Sequence, residues 1–169
     1  MAKPRSTLGD YLAEQEPVGV LWLDLVDVVY RDSPRYAHIE RLSEPAQVLF
    51  NTGCFAGEII NGGISQFFSN SSGNRANETL AGLRAIGAVL CVKLLEKGLS
   101  LFPDAIAPVD RQKRCELLFA FEERDPQFLE ELDRVFYKRV DALGSIPEED
   151  LTALELAFMR AHSSDPVAL

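Results

Sequence analysis

Two adjacent glycines, Gly62 and Gly63, interrupt the middle of a chain whose apolar residues otherwise recur at helical spacing. They follow Asn61 and precede a short apolar stretch that ends in the polar run of residues 70–73. Glycine adopts left-handed backbone conformations at little cost, so it commonly ends a helix. The sequence therefore predicts that one helix ends at Asn61-Gly62 and that a short helical turn follows over residues 64–68.

The rest of the pattern predicts an all-α fold, a single compact domain of six to seven helices with this helix-breaking Asn-Gly-Gly turn in its middle. Pro17 opens the first helix and Ser43 caps the second, while the longest helix is expected over residues 74–98. Further helices are expected over residues 109–122, from Asp125-Pro126, and after a capping box at residues 145–148. We expect a flexible N-terminal arm over residues 1–16, a helical domain over 17–163 and a tail over 164–169.

Negative charge is concentrated in one part of the chain. The net charge is −9, and residues 116–155 hold twelve acids against four bases, which accounts for −8 of it. Nucleic acids and anionic membranes bind basic surfaces, so direct binding to either is disfavoured and a basic protein is the natural complement. The predicted partner-binding residues are Glu122, Glu123, Glu130, Glu131, Asp133, Asp141, Glu148, Glu149 and Asp150.

Side chains that commonly act in catalysis or metal binding are few. The chain has two histidines and three widely spaced cysteines, with no phosphate-binding glycine loop, nucleophile elbow or zinc motif. We therefore predict a protein that is not an enzyme and has no catalytic residue, cofactor or metal. Unpaired cysteines, the missing signal peptide and the absence of a long apolar run indicate a cytoplasmic location.

The polar side chains around the glycine pair allow two interpretations. Glu58, Asn61, Gln66 and Asn70, together with Gly62 and Gly63, form either a small-ligand pocket or a structural motif. In a pocket, the amides hold a small molecule. In the structural interpretation, the same side chains satisfy backbone groups that the helix break exposes.

The run from Glu58 to Gly73, followed by Leu83-Arg84-Ala85-Ile86-Gly87-Ala88, resembles the signature of a bacterial helical family of unknown function, the DNA mimic protein 19-like family. Residues 128–137 resemble its Leu-Asp-x-x-Phe-Tyr element, and the likeness covers roughly residues 20–160. The resemblance implies an all-α fold. Its characterised member is an acidic dimer that occupies the DNA-binding surface of a repressor-type transcription factor.

We accordingly expect an acidic interaction protein, either a DNA mimic that occupies a basic regulator or a member of one of two other classes. The first alternative is an immunity or antitoxin protein that neutralises a basic nuclease. The second is a small-ligand-binding domain that uses the central Asn/Gln cluster. The resemblance also implies that a homodimer is possible.

Overall fold

The computed structural model describes residues 5–31, 38–137 and 149–169, without the side chains of residues 135–137. These ranges contain seven α-helices and short 3-10 turns but no β-strand, so the predicted all-α fold is confirmed. None of the described helices combines the length and apolar content needed to cross a bilayer. The helices are α1 (Pro17–Tyr30), α2 (Glu44–Ser69), α3 (Ala76–Ile86), α4 (Val89–Leu99), α5 (Arg111–Arg124), α6 (Pro126–Tyr137) and α7 (Leu151–Ala161).

The chain divides into two compact units, of which the first comprises Met1–Phe50 and Thr152–Leu169. Its helix α1 begins at the predicted Pro17 and buries Leu21, Leu25 and Val29 along one side. At the start of α2, the Ala46 N–H donates to the Ser43 hydroxyl oxygen at 3.3 Å. Ser43 therefore caps α2 as predicted, by satisfying one of the free N–H groups of its first turn.

The two ends of the chain are joined within this first unit. The Leu8 N–H donates to the Asp165 carbonyl at 3.0 Å, and the Ser43 N–H donates to the Val167 carbonyl at 3.1 Å. Leu8 and Tyr11 are buried. The described part of the predicted flexible arm, residues 5–16, is therefore held in place, and the tail over 164–169 pairs with it. The sequence did not indicate this, because a single turn is too short to show helical periodicity.

The second unit, Asn51–Leu151, is built around a chain of phenylalanine rings. The centroid distances are 5.1 Å for Phe55–Phe67, 5.3 Å for Phe67–Phe68 and 5.0 Å for Phe68–Phe102, all with edge-on geometry. Aromatic pairs favour this arrangement. Because Phe67 and Phe68 lie four and five residues after Gly63, the core of the unit depends on where the helix restarts after the break.

The predicted long helix over residues 74–98 is wrong, because α3 and α4 are separate. Gly87 has φ +80°, which is left-handed, and the Ala88 N–H donates back to the Leu83 carbonyl at 2.9 Å. This is a common way for a helix to end at glycine. The helices predicted near residues 109 and 125 are observed as α5 and α6, whereas the predicted capping box at residues 145–148 lies outside the described residues.

Two helical glycines should respond to alanine in opposite directions. A Cβ atom at Gly57 would meet nothing within 4 Å, whereas one at Gly98 would lie 2.9 Å from both Ile64 Cγ1 and Phe68 Cε2. Gly57→Ala should raise the free energy of unfolding by about 0.5–1 kcal/mol through helix propensity. Gly98→Ala should lower it by about 1–3 kcal/mol through overpacking. Urea unfolding of both variants measures this difference, and equal effects of the two substitutions would contradict the described packing.

Candidate functional site

The glycine pair breaks α2 within its length. Gly62 (φ −162°, ψ 19°) and Gly63 (φ +75°, ψ −169°) are both non-helical, and the helix resumes at Ile64. A Cβ atom at Gly62 would overlap the Gln66 side chain, and one at Gly63 would overlap the Asp133 carboxylate. Gly63 is thus required twice, for its left-handed φ and for the space that Asp133 occupies.

Glu58 gathers the polar side chains that surround this break. Its carboxylate accepts hydrogen bonds from Gln66 Nε2 at 2.7 Å, Asn70 Nδ2 at 2.9 Å and the Ser72 hydroxyl at 2.8 Å. Asn61 is exposed and makes no side-chain hydrogen bond with the described residues. Three members of the predicted cluster therefore converge as expected, but they converge on one another. Ser72 was missed because the sequence shows it only as one residue of a polar turn.

Asp133 caps the helical segment that restarts after the break. Its Oδ1 accepts a hydrogen bond from the Ile64 N–H at 2.7 Å. Burial raises the pKa of the Asp133 carboxyl above its ordinary value, and the bond from the Ile64 N–H opposes that shift. A carboxylate at a helix N-terminus satisfies a free N–H and interacts favourably with the helix dipole. Asp133 is therefore a structural cap and not the partner-binding surface residue that we predicted.

The other end of this segment is held by arginines from α5. Arg114 is fully buried, and its guanidinium donates to the carbonyls of Phe68 at 2.6 Å and Asn70 at 2.8 Å. Arg111 Nε donates to the Ser69 carbonyl at 2.6 Å. Cations favour the C-terminal end of a helix, where the last carbonyls lack partners inside the helix. Burial lowers the pKa of Arg114.

Sequence reasoning missed Arg114, although one signal was present. Arg114 lies four residues before Leu118, which places it on the buried face of α5. A lone arginine on an apolar helix face predicts a buried hydrogen-bonding role. The guanidinium also donates to the Pro108 carbonyl at 2.6 Å and to Asn74 Oδ1 at 2.8 Å, so it joins three separate stretches of the chain.

Glu149 is a second acidic residue with an internal role. It is buried, and its two carboxylate oxygens accept from the Leu90 N–H at 2.6 Å and the Cys91 N–H at 2.8 Å. These are free N–H groups of the first turn of α4, so Glu149 caps that helix from 58 residues away in sequence. Its predicted role in partner binding is therefore wrong, because a buried carboxylate with two backbone donors is not offered to a partner.

The remaining predicted acids lie at the surface or outside the described residues. Glu122 and Glu123 at the end of α5, and Glu130 on α6, are exposed and form no ion pair with a described residue. Glu131 lies 4.0 Å from Arg134, a spacing at which exposed pairs contribute little. Asp150 is exposed, whereas Asp141 and Glu148 lie outside the described residues. The acidic surface is defined here as Glu122, Glu123, Glu130 and Glu131.

The α5–α6 pair that carries this acidic surface is packed together. Phe121 and Phe128 meet with centroids 5.2 Å apart in edge-on geometry, and Leu118, Leu129 and Leu132 are buried. The exposed carboxylates thus stand on helices whose opposite sides are anchored in the second unit. Among the described residues, no group of three or more histidine, cysteine, aspartate or glutamate side chains is arranged to hold a metal ion.

Asp133 and Glu131 form a matched pair for testing the cap, because they lie two residues apart on α6. Asp133→Ala should lower the free energy of unfolding by about 1–2 kcal/mol, since the Ile64 N–H loses its acceptor in a buried position. Glu131→Ala should change it by less than about 0.5 kcal/mol. Chemical denaturation measures both values. A similar small effect at both positions would place Asp133 on the surface with the other acids.

Cys54 should resist alkylation in the folded protein. Burial, aided by the Glu58 charge, raises the pKa of its thiol to about 12. The thiolate is the reactive form, so iodoacetamide at pH 8 should modify Cys54 at least about a hundredfold more slowly in the native protein than in urea. Peptide mass spectrometry follows each cysteine separately. Equal rates in both conditions would show that the thiol is exposed and reactive.

Comparison with known proteins assigns the chain to a family. The family model described as DMP19-like protein matches residues 40–162, a range that contains the helix break, both carboxylate caps and the acidic surface. Searches of curated proteins and of solved structures return no match. Because the family model covers most of the sequence, the chain belongs to the DMP19-like protein family.

Proposed function

We propose that this chain is a non-enzymatic interaction protein whose acidic surface binds a basic protein, and that a DNA-binding regulator is its partner. The observation that carries the proposal is the exposure of Glu122, Glu123, Glu130 and Glu131 on a packed helix pair. The net charge of −9 and membership of the DMP19-like family support the proposal. We also propose a cytoplasmic location, since three cysteines, odd in number and widely spaced along the chain, do not form the pattern of a disulfide framework.

Electrostatics give this surface a preferred class of partner. Residues 116–155 carry −8 of the net −9, and the acidic surface consists of four exposed carboxylates of that segment on α5 and α6. Complementary charge speeds association and selects a partner of opposite sign. The Debye length is about 8 Å at physiological ionic strength, so the complex should weaken as salt is added.

A basic DNA-binding groove is a suitable counterpart, although the likeness to DNA is partial. Side chains on neighbouring helical turns are spaced about 5–6 Å apart, whereas DNA carries one charge per about 1.7 Å of helix axis. The acidic surface therefore offers a sparser row of anions than a duplex. We expect a partner that tolerates this spacing, with affinity that depends on the sum of several carboxylates.

The small-ligand alternative has less support than the interaction surface. Gln66, Asn70 and Ser72 all donate to Glu58, so the groups that would hold a ligand are already used within the motif. Asn61 is exposed and does not join these hydrogen bonds. The immunity-protein alternative uses the same acidic surface, and the identity of the partner separates it from the regulator.

The test compares two variants with the same loss of charge. One replaces the acidic surface (Glu122→Gln, Glu123→Gln, Glu130→Gln and Glu131→Gln). The control replaces four exposed glutamates elsewhere (Glu16→Gln, Glu40→Gln, Glu44→Gln and Glu78→Gln). Proteins captured by the immobilised wild type from a nuclease-treated extract at low salt are identified, purified and titrated against all three forms.

The proposal predicts a basic partner whose affinity falls at least tenfold with the acidic-surface variant, about 1.4 kcal/mol, and little with the control. Duplex DNA should compete if the partner is a DNA-binding regulator. Inhibition of a captured nuclease would instead assign the immunity role. Absence of any basic partner, or equal loss in both variants, would overturn the proposed surface.

A further inference from the structure

Phe119 is an aromatic side chain that the fold leaves in solvent. It lies in the middle of α5 and is 68% exposed, whereas Leu118 of the same helix is buried and Phe121 is half-buried. Among the described residues, Phe119 takes part in no aromatic ring pair and no cation–π pair. An exposed phenylalanine on a rigid helix costs hydration free energy that burial against a partner would recover.

Two glutamates flank this ring on the outer face of α5. Glu116 is three residues before Phe119 and Glu123 is four residues after it, and both are exposed. These spacings place the three side chains in one row along the helix. Gln112 extends the row, since its Nε2 donates to Glu116 Oε1 at 3.0 Å. The row thus consists of an apolar ring between two carboxylates.

Two nearby phenylalanines, Phe121 and Phe128, each have a cation over the ring. Arg124 lies over the Phe121 ring at 4.7 Å from its centroid, and Lys97 lies over the Phe128 ring at 5.4 Å. Cations at these distances are attracted by the negative face of the ring. Phe119 has the same kind of ring and has glutamates at positions 116 and 123 on its face of the helix, but no described cation lies over it.

We propose that Phe119 anchors the basic partner by receiving an arginine side chain on its ring, while Glu116 and Glu123 pair with the positive charge. This proposal rests on the proposed function and names the residue type that the partner presents. Arginine fits better than lysine because its planar guanidinium stacks on aromatic rings and is more weakly hydrated. Aromatic residues in the centre of a charged surface commonly dominate the binding energy.

The test uses two synthetic probes of equal charge, hexa-arginine and hexa-lysine, titrated at low salt into the folded protein. Wild type should bind hexa-arginine more tightly than hexa-lysine, with amide shifts centred on residues 116–123. Phe119→Ala should weaken hexa-arginine binding by roughly two- to fivefold and remove the preference for arginine. The double variant Glu116→Gln, Glu123→Gln should weaken the binding of both peptides to a similar extent.

Two control variants separate ring stacking from general apolar contact. Val109→Ala removes another exposed apolar side chain, 69% exposed and outside the row, and should leave both affinities unchanged. Phe119→Leu should behave like Phe119→Ala, because leucine lacks a ring face. The proposed anchor would be overturned if wild type bound both peptides equally. It would also be overturned if Phe119→Ala or Phe119→Leu kept the wild-type preference for hexa-arginine.

Failure of this anchor is distinguishable from failure of the proposed function. If a basic partner is captured and needs Glu122, Glu123, Glu130 and Glu131 but Phe119→Ala leaves the arginine preference intact, the proposed function stands and the anchor is wrong. If the preference depends on Phe119 but no basic partner is captured, the anchor chemistry is supported and the broader function fails.

Discussion

A helix that stops and restarts inside a protein leaves backbone N–H and C=O groups without partners, and burying them unsatisfied is costly. The Gly62–Gly63 break creates such ends on the segment that carries Phe67 and Phe68 into the core. Asp133 from α6 satisfies the start of this segment, and two arginines from α5 satisfy its end. The break, the core rings and the positions of α5 and α6 are therefore linked by one set of hydrogen bonds.

The predicted partner-binding acids that the structure describes fall into two groups with different roles. Asp133 and Glu149 point inward and accept backbone N–H groups at the starts of helical segments. The carboxylates of the acidic surface point outward on the two helices that the caps hold in place. Net charge alone does not distinguish these roles, so a charge count overstates the negative potential available to a partner.

Local signals in the sequence predicted the elements but not the contacts between them. Pro17, Ser43 and the Gly62–Gly63 pair act within a few residues of themselves, so their effects are visible in the sequence. Gly87 was misread because a glycine inside an apolar helical pattern is compatible with both a continuous helix and a helix end. Its left-handed φ decides between them.

The sequence indicated most residues of the central polar motif but not the hydrogen bonds that join them to the rest of the chain. Asp133 reaches Ile64 across 69 residues and Arg114 reaches Phe68 across 46, and no spacing rule relates residues so far apart. The central polar motif was recognised as a group, whereas the acceptor that unites it, Glu58, became evident only from distances. Phe119 was missed because an apolar residue in a helix is normally assigned to the core.

The central claim is that negative potential is gathered on α5 and α6, with Asp133 and Glu149 withdrawn from it. It is tested most directly by comparing the paramagnetic relaxation that a cationic nitroxide and a neutral nitroxide induce at each backbone amide. The account predicts that the cationic probe adds relaxation mainly at residues 116–131 and little at Ile64, Leu90 and Cys91. Additional relaxation from the cationic probe that is spread evenly over the molecule, or centred on the capped amides, would contradict it.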